Sequence, residues 1–190
     1  GTFGSLTAAM EEDFSDSPGN RGFMICEETE LYELMLKTHI SGLQLGIHAI
    51  GDKANRICIE LYEKILKAHP RQNHRHRIEH ASILYPDLLR RAQALGLVLC
   101  VQPLFIRSDM PYLDKRIGKA RRAHTYPFRS IVDMGIVASG SSDAPVETLS
   151  VLEAIECAVT REGYVMEQAV GITEAIQMYT IHAAYAQFEE

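Results

Sequence analysis

The sequence predicts an α/β fold of tandem βα units, with a parallel sheet and helices outside it. Three observations predict it. A strand pattern followed by a helix pattern recurs four times, over 43–68, 76–95, 97–134 and 136–162, and alternating β and α imply a parallel sheet. The stretch "LVLCVQP" at 97–103 is almost continuously apolar, which suits a strand buried on both faces. No G-x-G-x-x-G follows a strand. Of the two architectures such units build, this counts against the doubly wound nucleotide-binding sheet and favours a (βα)8 barrel.

The elements follow in chain order. Residues 1–26 are rich in Gly, Ser, Asp and Pro, and "DSPGNRG" at 16–22 reads as a turn-rich loop. Residues 27–40 form a helix on Leu31, Leu34 and Met35, ended by Gly42. "LQLGIHAI" at 43–50 is a short strand that stops at Gly51. Residues 52–68 are helical, with Ala54, Ile57, Cys58, Leu61, Ile65 and Ala68 on one face. Asp52, just after Gly51, reads as an N-cap. A short strand over 76–80 precedes a helix from Pro86 to Leu95, which Gly96 closes. After the 97–103 strand, residues 104–125 read as polar and irregular, including the charged run "RIGKARRAH" at 116–124. A helix over 127–134 ends at Gly135, and "IVASGSSD" at 136–143 is the last strand. Two helices follow, near 149–162 and 173–187.

Composition narrows the function. With 190 residues, 46% apolar and 23% charged, the chain is an ordinary globular domain with room for a core. A net charge of −6 argues against broad nucleic-acid binding. No apolar run is long enough to span a bilayer. The opening "GTFGSLTAAM" has no basic-then-apolar secretion pattern. Cys26, Cys58, Cys100 and Cys157 are widely spaced, without a C-x-x-C pair. They read as reduced thiols of a cytoplasmic protein.

In a barrel, chemistry sits at the C-terminal strand ends. The polar residues there are His48, His80, Gln102 and Asp143. His48, His80 and Asp143 are each a divalent-metal ligand or a proton acceptor, and each holds the same place in its βα unit. Gln102 is a candidate substrate contact. The segment "HRHRIEH" at 74–80 also contains His76-Arg77-Ile78-Glu79-His80, the inverted H-x-x-E-H signature of a zinc peptidase. On a helix His76 and His80 sit one turn apart and could share a zinc ion. On a strand they are about 13 Å apart and could not. The apolar positions permit either, but the βα rhythm requires a strand here. Glu79 then reads as an ion-pair partner, and Arg75 and Arg77 as a solvated basic face.

Four stretches, "GLQLGIHAIGDKAN", "RHRIEHA", "VQP" and "ASGSSDAPVE", occur in order along nearly the whole chain. Together they resemble the successive motifs of the metal-dependent amidohydrolase superfamily, in the branch of N-substituted formamide deformylase. "GTFGSLTAAM" is similar to that branch's D-G-x-x-G-S-x-T-A segment. The resemblance implies the second half of a TIM-type barrel, strands five to eight, with 1–26 as the loop after strand four. It implies a hydrolase of C–N bonds in a small molecule that uses a divalent metal, zinc first. By this resemblance His48 and His80 are metal ligands of strands five and six. Asp143 is the strand-eight aspartate, both ligand and proton shuttle. Arg122, His124 and Tyr126 lie in a loop that faces the substrate in the family. The family's strand-one H-x-H and strand-four lysine would precede Gly1, and His74-x-His76 does not replace them. A half-barrel leaves strand edges at 43–48 and 136–140 and strips a facing layer from Val98, Leu99 and Val101. Self-association, or docking onto an N-terminal half, is therefore expected. A folded but catalytically silent half is the remaining alternative.

Overall fold

The computed structural model describes residues 1–189. Four strands and nine α-helices are present among them: α1 (Glu28–Ile40), β1 (Gly46–Ala49), α2 (Asp52–Ala68), β2 (Arg77–His80), α3 (Pro86–Ala94), β3 (Val98–Val101), α4 (Leu104–Asp109), α5 (Leu113–Arg122), α6 (Phe128–Asp133), β4 (Ala138–Gly140), α7 (Val151–Thr160), α8 (Ile172–Met178) and α9 (Ile181–Gln187). Every strand pair is parallel, in the order β1-β2-β3-β4. Sequence neighbours are thus sheet neighbours, as helix-connected crossovers of one hand require. The register sets Ala49 beside His80 and Glu79 beside Cys100. No helix among the described residues is long and apolar enough to cross a membrane.

The main core lies between the sheet and its outer helices. From α2 it takes Cys58, Ile59, Leu61, Tyr62 and Ile65, spaced three and four apart as one helical face. Each large aliphatic side chain buried there contributes about 1.5–3 kcal/mol. Leu99 and Val101 of β3 point into this core. Val98 and Cys100 point the other way, where Ala186, Tyr185 and Val137 cover them.

That second layer corrects an expectation. The inner face was to lie bare at Val98, Leu99 and Val101, yet all three are fully buried. Leu99 and Val101 face the helices, and α9 folds across Val98. The β4 edge is not bare either. The imidazole Nδ1 of His182 on α9 donates to Ala138 O at 3.1 Å, and Tyr179 packs against Gly140. Among the described residues the β1 edge stays open, with Gly46 and His48 exposed.

Other differences have local causes. Residues 104–122 are α4 and α5, not an irregular loop. Their register is anchored by long-range contacts: Cys157 on Pro103 O and buried Arg121 on the carbonyls of Glu12 and Asp13. Gly118 sits inside α5 at φ +71°, a kink that mimics a loop signal. The terminal helix divides into α8 and α9 at Thr180, whose φ and ψ of −126° and −98° are non-helical. Leu34 is exposed, because α1 buries the narrower stripe Leu31, Met35 and His39. Asp52 is not the N-cap of α2. Gly51 holds that position, where a Cβ would meet Ala9 O at 1.9 Å. Asp52 is pushed one residue into the helix, and its carboxylate accepts from Glu11 N at 2.9 Å. Arg75 and Arg77 form no solvated face. Arg75 is buried and stacks on Tyr185 at 3.8 Å. Arg77 pairs with Glu79 at 2.7 Å.

Candidate metal-binding site

Two parallel strands bring the first two residues together. β1 delivers His48 and β2 ends on His80. Their rings meet edge to face with centroids 4.4 Å apart. At His80 the backbone turns sharply, with φ +76° there and +48° at Ala81. Non-glycine residues in this region cost about 1–3 kcal/mol each and persist only where the surroundings hold them.

His80 is 7% exposed. Phe105 of α4 stacks on it at 5.7 Å, nearly parallel. Its Nδ1 lies 2.8 Å from Gln102 Oε1. Its Nε2 makes no hydrogen bond to any described residue. His48 is exposed, and its Nε2 lies 2.9 Å from Gly1 O and 3.1 Å from the Gly1 amino nitrogen. Loss of solvent is the main effect lowering the His48 pKa, and the Asp143 charge works against it. His48 also lines a cavity of about 180 Å³ with Ala8, Ala9, Cys26, Ile47 and Ile50. A larger cavity of about 720 Å³, lined by Asp52, Tyr85, Arg90 and Lys119, contains neither histidine.

Asp143 follows β4 at φ +53° and is exposed. Its carboxylate makes no hydrogen bond or ion pair with a described residue, while its carbonyl accepts from Val146 N at 2.9 Å in a turn. It does not close a ligand set with the two histidines. Among the described residues, no three His, Cys, Asp or Glu side chains group closely enough to hold a metal ion. The chain thus supplies a pair of nitrogen donors of the kind zinc, manganese and iron accept, with one carboxylate standing off.

The expected substrate contacts lie elsewhere. Gln102 is 3% exposed and both ends of its amide are engaged, by His80 and by Ser141 Oγ at 2.8 Å. It is not open to a substrate. Tyr126 is buried against Phe3 and Phe128, and its hydroxyl donates to Asp109, which also accepts from Tyr112. Burial raises the Asp109 pKa against these two hydrogen bonds. Arg122 pairs with Asp114 at 3.5 Å and lies over the Tyr164 ring at 4.9 Å. His124 packs on Tyr85 at 4.5 Å. None of these three touches the histidine pair, because 113–122 is a helix pinned to the N-terminal loop.

His76 is at the other end of β2. It is 0% exposed, and its Nε2 lies 2.8 Å from His39 Nδ1. With 77–80 a strand, His76 and His80 do not share a metal, so the inverted peptidase reading fails. The cysteines are all free. Burial pushes Cys58 and Cys100 up to about 12 and Cys157 to about 11, as inert thiols. Sequence reasoning missed Phe105 and Ser141 beside the site, and no local pattern marks either.

The chain is similar along its whole length to known hydrolases. The amidohydrolase family profile matches residues 1–190. The Bacillus subtilis protein YtcJ, named as an amidohydrolase, is 33% identical over 202 residues, spanning 100% of this chain and 37% of its own. The N-substituted formamide deformylase of Arthrobacter pascens is 32% identical over 168 residues, or 84% of this chain and 30% of that protein. A crystal structure of an uncharacterized metal-dependent hydrolase from Pyrococcus furiosus superposes with a TM-score of 0.89 at 30% identity, over 100% of this chain and 39% of that one. The chain therefore spans 30–39% of the length of these relatives. A Xaa-Pro dipeptidase, at TM-score 0.56 and 16% identity, shares the fold alone. The four-stranded parallel sheet with its helices is that of the TIM-barrel amidohydrolases.

Proposed function

The chain belongs to the amidohydrolase family, and on that premise we propose that it is the ligand-bearing second half of a metal-dependent hydrolase that cleaves C–N bonds in small amides or formamides. The observation that carries this reading is the His48–His80 pair at the C-terminal ends of adjacent parallel strands, with a bare Nε2 on His80. Zinc suits the two imidazoles best, and the free thiols fit a cytoplasmic setting. The imidazoles of His48 and His80 would hold a divalent metal, which would supply a lowered water pKa and polarisation of the amide carbonyl. The Asp143 carboxylate takes the proton of the attacking water and returns it to the leaving nitrogen as the C–N bond breaks. The exposure and unpaired state of that carboxylate leave it free for the task.

The test uses the full-length protein, with metal analysis and a panel of amide and N-formyl substrates. Asp143→Asn keeps the fold and most of the metal and loses orders of magnitude in turnover. Near-normal turnover would remove Asp143 from the mechanism.

The spread of Asp143 from the histidine pair supports a second reading for the isolated 190-residue chain, that of a folded but silent half. On it, this chain holds zinc weakly, since affinity needs an oriented ligand set. Elemental analysis finding tightly held, stoichiometric zinc would contradict it. The open β1 edge is the natural place for an N-terminal half or a second copy to dock. Light scattering giving a clean monomer with cooperative unfolding would count against that docking.

A further inference from the structure

We propose that Gln102 is a positioning residue: it fixes His80 in the tautomer that leaves its Nε2 with a bare lone pair. The far end of the Gln102 amide sets its orientation. Its Nε2 lies 2.8 Å from Ser141 Oγ and 3.4 Å from Cys100 O. A backbone carbonyl only accepts, so the nitrogen end of the amide faces it. The opposite end, Oε1, then lies 2.8 Å from His80 Nδ1. An amide oxygen also only accepts, so Nδ1 carries the hydrogen. A neutral imidazole has one N–H, and Nε2 is left as the acceptor. Reversing the amide would set two carbonyl oxygens against each other at Cys100.

The surroundings hold the ring plane as well. Phe105 stacks on the imidazole at an interplanar angle of 14°, and His48 meets it at 72°. Gln102 is itself buried at the end of β3, where its hydrogen bonds are strengthened by the low dielectric. The chain His80–Gln102–Ser141 thus spans β2, β3 and the segment after β4. It is the outer-shell arrangement that orients a ligating histidine, with a glutamine amide in place of the commoner carboxylate or carbonyl.

The tautomer stands on hydrogen bonding alone, while its consequence for metal rests on the function proposed above. The experiment separates the two. Long-range ¹H–¹⁵N spectra of the metal-free full-length protein, labelled at histidine, report the tautomer at a pH well above the ordinary histidine value. His80 is assigned by the signal lost in His80→Asn. Wild-type His80 shows a protonated Nδ1 and a bare Nε2. Gln102→Leu removes the acceptor, so the resonance moves toward a mixture of tautomers and the zinc dissociation constant rises about 10–100-fold. Gln102→Glu restores an acceptor and recovers the wild-type tautomer. A wild-type His80 protonated at Nε2 would overturn the proposal, even if the leucine variant failed to fold. So would Gln102→Leu with unchanged tautomer and unchanged zinc affinity. If the tautomer is as stated but the full-length protein binds no zinc, the metal reading fails and the positioning stands.

Discussion

The two ends of β2 carry histidines with opposite fates. At the C-terminal end, His80 uses one ring nitrogen and leaves the other bare. At the N-terminal approach to the strand, His76 uses both. Leu45 N–H donates to its Nδ1 at 3.0 Å, so its Nε2–H must donate to His39 Nδ1. His39 Nε2–H then donates to His69 O, at 2.8 Å. His74 completes the set, accepting from His76 N and donating to Leu95 O. Every ring nitrogen of this trio has a partner. The difference teaches that a histidine's role is read from the nitrogen it leaves unused. Four positions along the chain separate a scaffold from a candidate ligand.

The largest contrast should appear in turnover and metal content of the full-length protein. His80→Ala loses turnover by orders of magnitude and most of its metal. His76→Ala keeps metal in proportion to the folded fraction. If the His80 variant retained full metal content, the distinction between the two ends would collapse.

Stability should reverse the ranking. Removing the fully buried His76 ring leaves a cavity against Tyr62, stacked at 5.6 Å, and strands the Leu45 N–H and His39. His76→Ala is expected to cost about 3–5 kcal/mol, against about 1–3 kcal/mol for His80→Ala, where one ring nitrogen has no partner to strand. Denaturant unfolding of both variants measures this, and equal losses would break the comparison.

Acid sharpens it further. Burial, with smaller contributions from the neighbouring His74 and Arg71, lowers the His76 pKa from 6.5 to about 3. His74 is also lowered, mainly by burial. The unfolded chain then binds protons that the folded chain refuses. This contribution to stability is present in full above 6.5 and is lost as the pH falls toward about 3. The slope from one such proton is at most about 1.4 kcal/mol per pH unit. Melting temperatures between about pH 7 and 5 should fall more steeply for the wild type than for His76→Gln. Parallel curves would show that His76 titrates no differently in the folded and unfolded chain.

The smallest effect belongs to the pair between the two ends. Arg77 and Glu79 meet at 2.7 Å on the inner face, each 28% exposed. Glu79→Gln should change stability by about 1 kcal/mol or less and leave metal content untouched. Loss of metal in that variant would draw Glu79 into the site.

The sequence by itself determined where the strands end. Parallel strands joined by helices all run one way, so the βα rhythm was enough to bring His48, His80 and Gln102 to one rim and to exclude a helix at 77–80. It also determined the free thiols, three of them buried, and most element boundaries. Only the tertiary structure decided what each polar group does there. It turned Gln102 from a substrate contact into the partner of His80, moved Arg122 and Tyr126 onto Asp114 and Asp109, and held Asp143 apart from the histidine pair. It likewise folded 104–122 into helices and laid α9 across Val98. The physical reason is range. Hydrophobic periodicity acts over one or two turns, whereas the hydrogen bonds that assign these roles join residues 22 and 39 positions apart.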